Sequence, residues 1–415
     1  MQFLRNFLDN VEKKVEGNKY LHTTFDAFHT FLYAPNSTTT GRGVHIRDGM
    51  DIKRTMVHVV LAMQLCLVLG AFNIGHWHYA AYGEYTALWE GIIPKLIFGV
   101  LQLLPLVIVS HVVGLGIEFF FAASRGHSVE EGFLVTGILI PLIMPPDIPL
   151  WMVAVATAFA VIIAKEAFGG TGQNILNIAL TTRVFVFFAY PTYISGDQPW
   201  VTWDTNILHN IFGLGASAPE MGYTSKYIAE GFTGATPLGL GATGYEVAGG
   251  EMLTGLDAIT YHYSFWDIFL GFIPGSIGET SVIAVLFGIV FLLLTKVASW
   301  RIMLSMFAGT LAMGVLFNLI GANPFLSVPW YYHLAMGSFF FAMAFMATDP
   351  VTAAQTNKGK FIYGFLIGVV GMIVRVLNPA YPEGWMLAIL LMNVFAPLID
   401  HVIIQQNITK RLARG

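Results

Sequence analysis

Cysteine is all but missing from this chain. Cys66 is the only one in 415 residues, and it lies inside an apolar run. One thiol cannot close an internal disulfide. It also cannot by itself hold an iron–sulfur cluster or a structural zinc, which need several ligands. Any redox chemistry must therefore use an organic cofactor. Charge is scarce as well: 11% of residues are charged, against about 25% in a soluble globular domain. With 55% hydrophobic residues and a mean hydropathy of +0.66, most of the surface must face lipid or apolar protein. The net charge of −4 says little about partners, and nothing in the composition suggests nucleic acid. The opening stretch, MQFLRNFLDNVEKKVEGNKY, has no apolar core before a cleavage site, so it does not read as a signal peptide.

Long apolar runs are what the chain does have. A spanning helix needs about 20 mainly apolar residues. Ten such runs occur, near 56–75, 94–122, 132–148, 150–167, 175–191, 279–295, 300–320, 331–347, 360–377 and 384–405. The expected fold is an all-α polytopic membrane protein of about ten transmembrane helices. The second run is long enough to tilt or bend, and several others are short, with Pro or Gly at their ends. Interrupted helices of that kind often mark ion or substrate sites in transporters. Cytoplasmic loops are enriched in Lys and Arg, which tests the count. With the N-terminus inside and the runs alternating, seventeen of the 21 Lys and Arg fall on the inner side. Lys95, Lys226 and Arg375 fall outside, and Arg183 lies within a span. A wrong count would scramble this division.

Both termini are then cytoplasmic. The chain divides into a leader (1–53), a first five-helix half (54–191), an extracytoplasmic segment (192–278), a second five-helix half (279–405) and a cytoplasmic tail (406–415). An odd number of spans per half inverts the second half relative to the first. The echo of EEGFLVTGILI (130–140) in PEGWMLAILL (382–391) points the same way.

The segment 192–278 is rich in Gly, Thr and aromatic residues, with Lys226 as its one cation. Connections of this length are usually functional or disordered. It contains Phe232-Thr233-Gly234-Ala235-Thr236-Pro237-Leu238-Gly239. Small residues before Thr236 leave its hydroxyl accessible, and Pro237 biases Thr236 toward an extended conformation. A plain Gly-rich turn is the simpler account, and Gly241-Ala242-Thr243 repeats the tripeptide nearby. TGATPL, however, resembles the flavinylation motif S/D-G-A-T-x-L/S, in which the last threonine is esterified to the phosphate of FMN by a dedicated flavin transferase. Thr236 occupies the acceptor position. Thr233 stands where Ser or Asp is usual and keeps the hydroxyl.

Further stretches carry the same resemblance: KEAFGGTGQNILN (165–177), FFAYP (187–191), ISGD (194–197), IPGSIGE (273–279), ASWR (298–301), FMATDPV (345–351), NPAYPEG (378–384), MLAIL (386–390) and FAPLIDH (395–401). In order, and through nearly the whole chain from about residue 44, they resemble the B subunits of the Na⁺-translocating NADH:quinone oxidoreductases. Asn177-Ile178 departs from that family's usual Asn-Pro. The resemblance implies a redox and ion-translocating subunit in a bacterial inner membrane. Its complex would transfer electrons from NADH to ubiquinone and pump Na⁺ from cytoplasm to periplasm. It further implies covalent FMN on Thr236, a noncovalent riboflavin near the cytoplasmic side, and the A, C, D, E and F subunits as partners. The D-type subunit of Rnf ferredoxin:NAD⁺ oxidoreductases shares the fold and the motif but typically lacks a leader as long as residues 1–53. A urea- or ammonium-type channel shares the five-plus-five plan without a reason for TGATPL.

Other residues bear on chemistry. Gly169-Gly170-Thr171-Gly172-Gln173-Asn174 has no following GK[ST] and no preceding strand, so a P-loop is not supported. A helix break explains the glycines. Amide side chains suit the donors and acceptors of an isoalloxazine edge, which makes Asn174 and Asn177 the candidate riboflavin contacts. Glu118, Glu166, Asp349 and Asp400 fall in or at the ends of runs. A carboxylate there costs about 2.5–3.5 kcal/mol on insertion scales, so each is either functional or placed at the interface with a cationic partner. Glu166, beside Lys165, fits the second account. Glu118, Asp349 and Asp400 are candidates for a Na⁺ path. Phe341 and Phe345, with Phe339 and Phe340, approach Asp349 along one run. They are packing residues or a hydrophobic gate. Gly114 and Glu118 are candidates for a quinone site, together with His45, Arg47 and Asp51 of the leader. Helix packing also accounts for Gly114.

Overall fold

Inside a bilayer each backbone N–H and C=O needs a protein partner, and a helix provides one for all but its ends. In a computed structural model the apolar runs are accordingly built mainly of helix. The structure describes residues 52–81, 83–125, 132–196, 200–202, 234–247, 249–378 and 381–414, with isolated positions 11, 17 and 25. The leader residues His45, Arg47 and Asp51, together with Thr233 and Lys226, lie outside the described residues.

The first half comprises α1 (Ile52–Ala81), α2 (Ile92–Arg125), α3 (Phe133–Leu142), α4 (Leu150–Ala160) and α5 (Ile178–Ala189). Among the described residues between the halves lie three short helices, α6 (Pro237–Thr243), α7 (Leu256–His262) and α8 (Phe265–Leu270). A small antiparallel hairpin there pairs Tyr245 with Leu253 and Glu246 with Met252. The second half comprises α9 (Val282–Leu294), α10 (Trp300–Ile320), α11 (Trp330–Ala335), α12 (Phe339–Phe341), α13 (Asn357–Leu377) and α14 (Trp385–Leu412). The described part of the middle segment is therefore partly built of regular structure and packs on the bundle.

Among the described residues, six helices are long and apolar enough to cross a membrane: Thr55–Ala81, Ile92–Arg125, Leu150–Phe168, Trp300–Ile320, Asn357–Leu377 and Trp385–Leu412. Helices α3, α5 and α9 are apolar but shorter, at 10–17 residues. The chain is thus a polytopic membrane protein in which several expected spans are incomplete helices. The run 132–148 is helical only to Leu142 and then turns through Pro145 and Pro146. The run 331–347 breaks at Met336–Ser338, where Gly337 has φ +68°. A side chain there would be strained and would also collide with Leu238. Past the break, α12 passes into a π turn, Ala342–Met346, and α4 likewise runs into a π turn, Val161–Lys165.

Incomplete helices leave carbonyls without partners at depth. Two fully buried arginines meet them. Arg183 donates to Ile143 O, at the end of α3. Arg375 donates to Met336 O at 3.0 Å and to His333 O, at the end of α11. The loop before α9 adds Gly278 N to Leu142 O at 2.7 Å and Ile277 N to Met144 O at 3.3 Å.

Glycine sets how closely the helices pack. A Cβ on Gly99 of α2 would run into Ala71 O of α1, and one on Gly368 of α13 into Met306 O of α10. Close backbone approach through small residues is how helices associate in lipid. Gly368→Val is expected to destabilise the fold by about 1–3 kcal/mol through overpacking, seen as a lower unfolding midpoint in detergent. Gly116→Val, where an added Cβ meets nothing, should leave the midpoint in place.

Candidate functional site

Two groups of polar residues sit at opposite ends of the bundle. The first lines a cleft at the end where α1 begins. Its walls include Met56 and Val59 of α1, Leu139 of α3, Lys165, Asn174 and Asn177 from the α4–α5 connection, and Phe345 and Asp349 past α12. Its interior volume is about 130 Å³. Pockets that enclose a drug-sized ligand run to about 300–1,000 Å³, so a tricyclic ring would be gripped along one edge here, with the rest in the mouth.

Asn177 is the N-cap of α5. Its Oδ1 accepts from Leu180 N at 3.2 Å, and its Nδ2 donates to Asp349 Oδ2 at 3.2 Å. Asp349 also accepts from Val351 N at 3.0 Å and from the Thr352 hydroxyl at 3.1 Å. This joins the two halves, which are 172 residues apart at that bond. Asn174 is buried, and its Nδ2 donates to Leu176 O at 3.2 Å. Gly170 and Gly172, with φ +103° and +83°, let the connecting loop turn back on itself. Phe345 stands in the cleft wall, with Phe341 behind it at 4.9 Å between ring centroids.

The remaining candidates fall around this cleft. Glu118 is buried and ion-paired to Lys165, so it reaches the cleft through that lysine. Glu166 pairs with Arg125 at 2.8 Å rather than with its neighbour Lys165. Gly114 is buried, and the space beside it is filled by the ring of Phe133, as helix packing would have it. Asp400 lies apart from the cleft. It accepts from Gln355 N at 2.6 Å and Thr356 N at 3.0 Å, where α13 begins. The role of Lys165 was not foreseen. Its signal was a cation among apolar residues near a glutamate-bearing helix.

The second group surrounds Thr236. Thr236 is extended, at φ −72° and ψ 149°, as Pro237 requires. It is the N-cap of α6: its Oγ1 accepts from Gly239 N at 3.0 Å and donates to Gly196 O at 3.1 Å. Thr236 N to Gly196 O at 3.1 Å and Trp200 N to Gly234 O at 2.8 Å hold the motif against Gly196 and Trp200. Thr243 lies at the other end of α6, its hydroxyl turned back to Gly239 O at 2.8 Å. Beneath Thr236 lie Arg183, Glu279 and Glu383. Glu279 was not among the expected acidic residues, although a glutamate at the very start of an apolar run was a readable sign.

Relatives align along almost the whole chain. A profile of the NQR2, RnfD, RnfE family matches residues 39–409. The B subunit of the Na(+)-translocating NADH-quinone reductase of Chromohalobacter salexigens is 43% identical over 433 residues, covering 99% of this chain and 96% of that protein. The protein of the same name in Pseudomonas aeruginosa PAO1 is 43% identical over 441 residues, covering 99% of each. That of Klebsiella pneumoniae 342 is 42% identical over 423 residues, covering 94% of each.

The chain belongs to the NQR2, RnfD, RnfE family. Among its described residues no three His, Cys, Asp or Glu side chains converge as a metal cluster.

The Glu118–Lys165 pair makes a measurable prediction. Both side chains are at most 5% exposed. Removing one charge of a buried pair strands the other, at about 3–5 kcal/mol, while replacing both with apolar groups is often neutral. Glu118→Gln is expected to lower the unfolding midpoint more than the double change Glu118→Leu with Lys165→Met. Equal losses in the two would show that the pair is not coupled.

Proposed function

We propose that this chain is the B subunit of a bacterial inner-membrane complex that transfers electrons from NADH to ubiquinone and moves Na⁺ from cytoplasm to periplasm. The near-complete alignment to proteins named as the B subunits of Na(+)-translocating NADH-quinone reductases carries this reading. In it the chain works with the A, C, D, E and F subunits. It has ten membrane crossings in two inverted halves, with α1 beginning and α14 ending at the cytoplasmic face. The end bearing Thr236 is then periplasmic.

Thr236 is the proposed attachment point for FMN, joined through a phosphoester by a flavin transferase. Bound flavins would supply one- and two-electron transfer, and the protein would hold and tune them. Esterification replaces the hydroxyl proton. The bond that Thr236 donates to Gly196 O would be lost, while Gly239 N can still donate to Oγ1. The cap of α6 therefore survives modification. The cavities beside Thr236, at about 30 and 20 Å³, are far too small for a flavin ring, which must lie outside them.

At the other end, Asn174 is the better placed of the two amides to meet riboflavin in the cleft, since Asn177 is committed to its cap and to Asp349. Glu118 and Asp349 would attract Na⁺ toward the cleft, with Phe345 and Phe341 as the apolar constriction beyond. Asp400 would contribute charge near the same face. Quinone is assigned to the side of α2 at Gly114 and Glu118, with the leader over it. Phe133 beside Gly114 would have to shift to admit a headgroup there.

Two outcomes test this reading. FMN should stay on the denatured wild-type polypeptide, and Thr236→Ala should remove it, by in-gel fluorescence and intact mass. Loss of the cap costs only about 1 kcal/mol, so the variant should still assemble. Added FMN at modest concentration should not restore it, because a tether acts through high effective concentration. Covalent flavin in the variant would refute the assignment. Asp349→Asn should raise the Na⁺ concentration needed for half-maximal quinone reduction about tenfold, equivalent to about 1.4 kcal/mol of lost binding. NADH oxidation by the partner subunits should change less. An unaltered Na⁺ dependence would make Asp349 purely structural.

A further inference from the structure

The cluster beneath Thr236 has no part in the assignments above. Glu279, from the loop entering α9, and Glu383, from the loop entering α14, converge on Arg183. Arg183 reaches one oxygen of each: Glu279 Oε2 at 3.5 Å and Glu383 Oε1. Among the described residues, the other two oxygens, Glu279 Oε1 and Glu383 Oε2, have no hydrogen-bond partner. Glu279 is only 4% exposed. Buried carboxylate oxygens are nearly always matched by a donor or a cation, because leaving them bare is costly.

Both residues line one chamber of about 30 Å³, whose walls also include Ser276, Thr280 and Thr236. A single water needs about 10–15 Å³ on this measure, so the chamber admits one or two occupants of that size. Every polar group named here is an oxygen, the ligand type that hard cations prefer. Arg183 and Arg375 already match the two carboxylates in charge, so the two bare carboxylate oxygens favour an occupant of low charge rather than a divalent ion. The donors of Arg375 point away to carbonyls: His333 O, Met336 O at 3.0 Å, and Glu383 O at 3.0 and 3.2 Å. There it sits against the partial negative charge at the end of α11.

We infer that this chamber is a binding site for one monovalent cation of the Na⁺ class, with Glu279 and Glu383 as charged ligands and the Thr280 and Ser276 hydroxyls beside them. It deepens the Na⁺-translocation reading and rests on it. The chamber lies at the opposite end of the bundle from Asp349. Thr55 of α1 borders the cleft and Asn73 the region of Pro274 and Gly275, and those 18 positions span about 27 Å at 1.5 Å per residue. The site is therefore a station on the far side, where an ion is held before release.

Crystals of the assembled complex with Tl⁺ in place of Na⁺ test this directly. The expected result is an anomalous peak between Glu279 and Glu383 that disappears in Glu279→Gln and remains in Thr236→Ala. Peaks elsewhere with none in the chamber would overturn the inference, as would a chamber peak that survives Glu279→Gln. Thr280→Val provides a second measure should Glu279→Gln fail to assemble. In sealed vesicles, Na⁺ on the far side should slow wild-type turnover, and the inhibitory concentration should rise at least tenfold in Thr280→Val. An unchanged concentration overturns the inference. A complex with no Na⁺ dependence at all would refute the reading of the preceding section. Normal Na⁺-driven turnover with an empty chamber would refute only this one.

Discussion

The constraint on which the structure depends is that a broken helix inside a membrane exposes carbonyls that nothing in lipid can satisfy. This chain breaks helices inside the expected spans, after Leu142 and at Met336–Ser338. It can do so because Arg183 and Arg375 reach the released carbonyls from neighbouring helices. The guanidinium suits this task. It presents five donors in a rigid fork and keeps its charge when buried. The same arginines then need counter-charges, and Glu279 and Glu383 serve Arg183 in that way. The polar cluster under Thr236 is thus a consequence of the helix breaks.

Much of the architecture was legible in the sequence, for a simple reason. Apolar length is a one-dimensional property, and it survives without knowledge of packing. Each of the apolar runs contains helix, in the expected order. The interruptions were less legible. The stretch around Ala335-Met336-Gly337-Ser338 is as apolar as its flanks, so hydropathy does not fall where the helix stops. Only the φ of Gly337 and the donors of Arg375, 38 residues later, reveal it. The middle segment hid its short helices for the opposite reason: Gly and Thr dominate its composition, although Thr236 and Ser264 are ordinary caps for α6 and α8.

Site residues divided along the same line. The extended conformation of Thr236 was readable from the proline that follows it. Asn174, Asn177, Phe345 and Asp349 were named separately, and the structure brings them to one cleft. Partner choice was not readable. Adjacency in sequence suggested Lys165 with Glu166. The backbone at the end of α4 instead turns Lys165 toward Glu118 and leaves Glu166 to Arg125. Successive helical positions point about 100° apart, so neighbours in sequence rarely share a partner.

The planar amide of Asn177 has two duties, and they cannot be separated. Its oxygen holds the first turn of α5 while its nitrogen holds Asp349. A cation that draws the carboxylate toward itself tugs on the same rigid group that closes the helix. If the amide turns to follow, Leu180 N loses its acceptor and the start of α5 loosens. Arg183 stands one turn further along that helix, with its hold on the end of α3 and on both glutamates. A short helix of 12 residues therefore joins the two polar groups: Asn177 at its start is bonded to Asp349, and Arg183 in its body to Glu279 and Glu383.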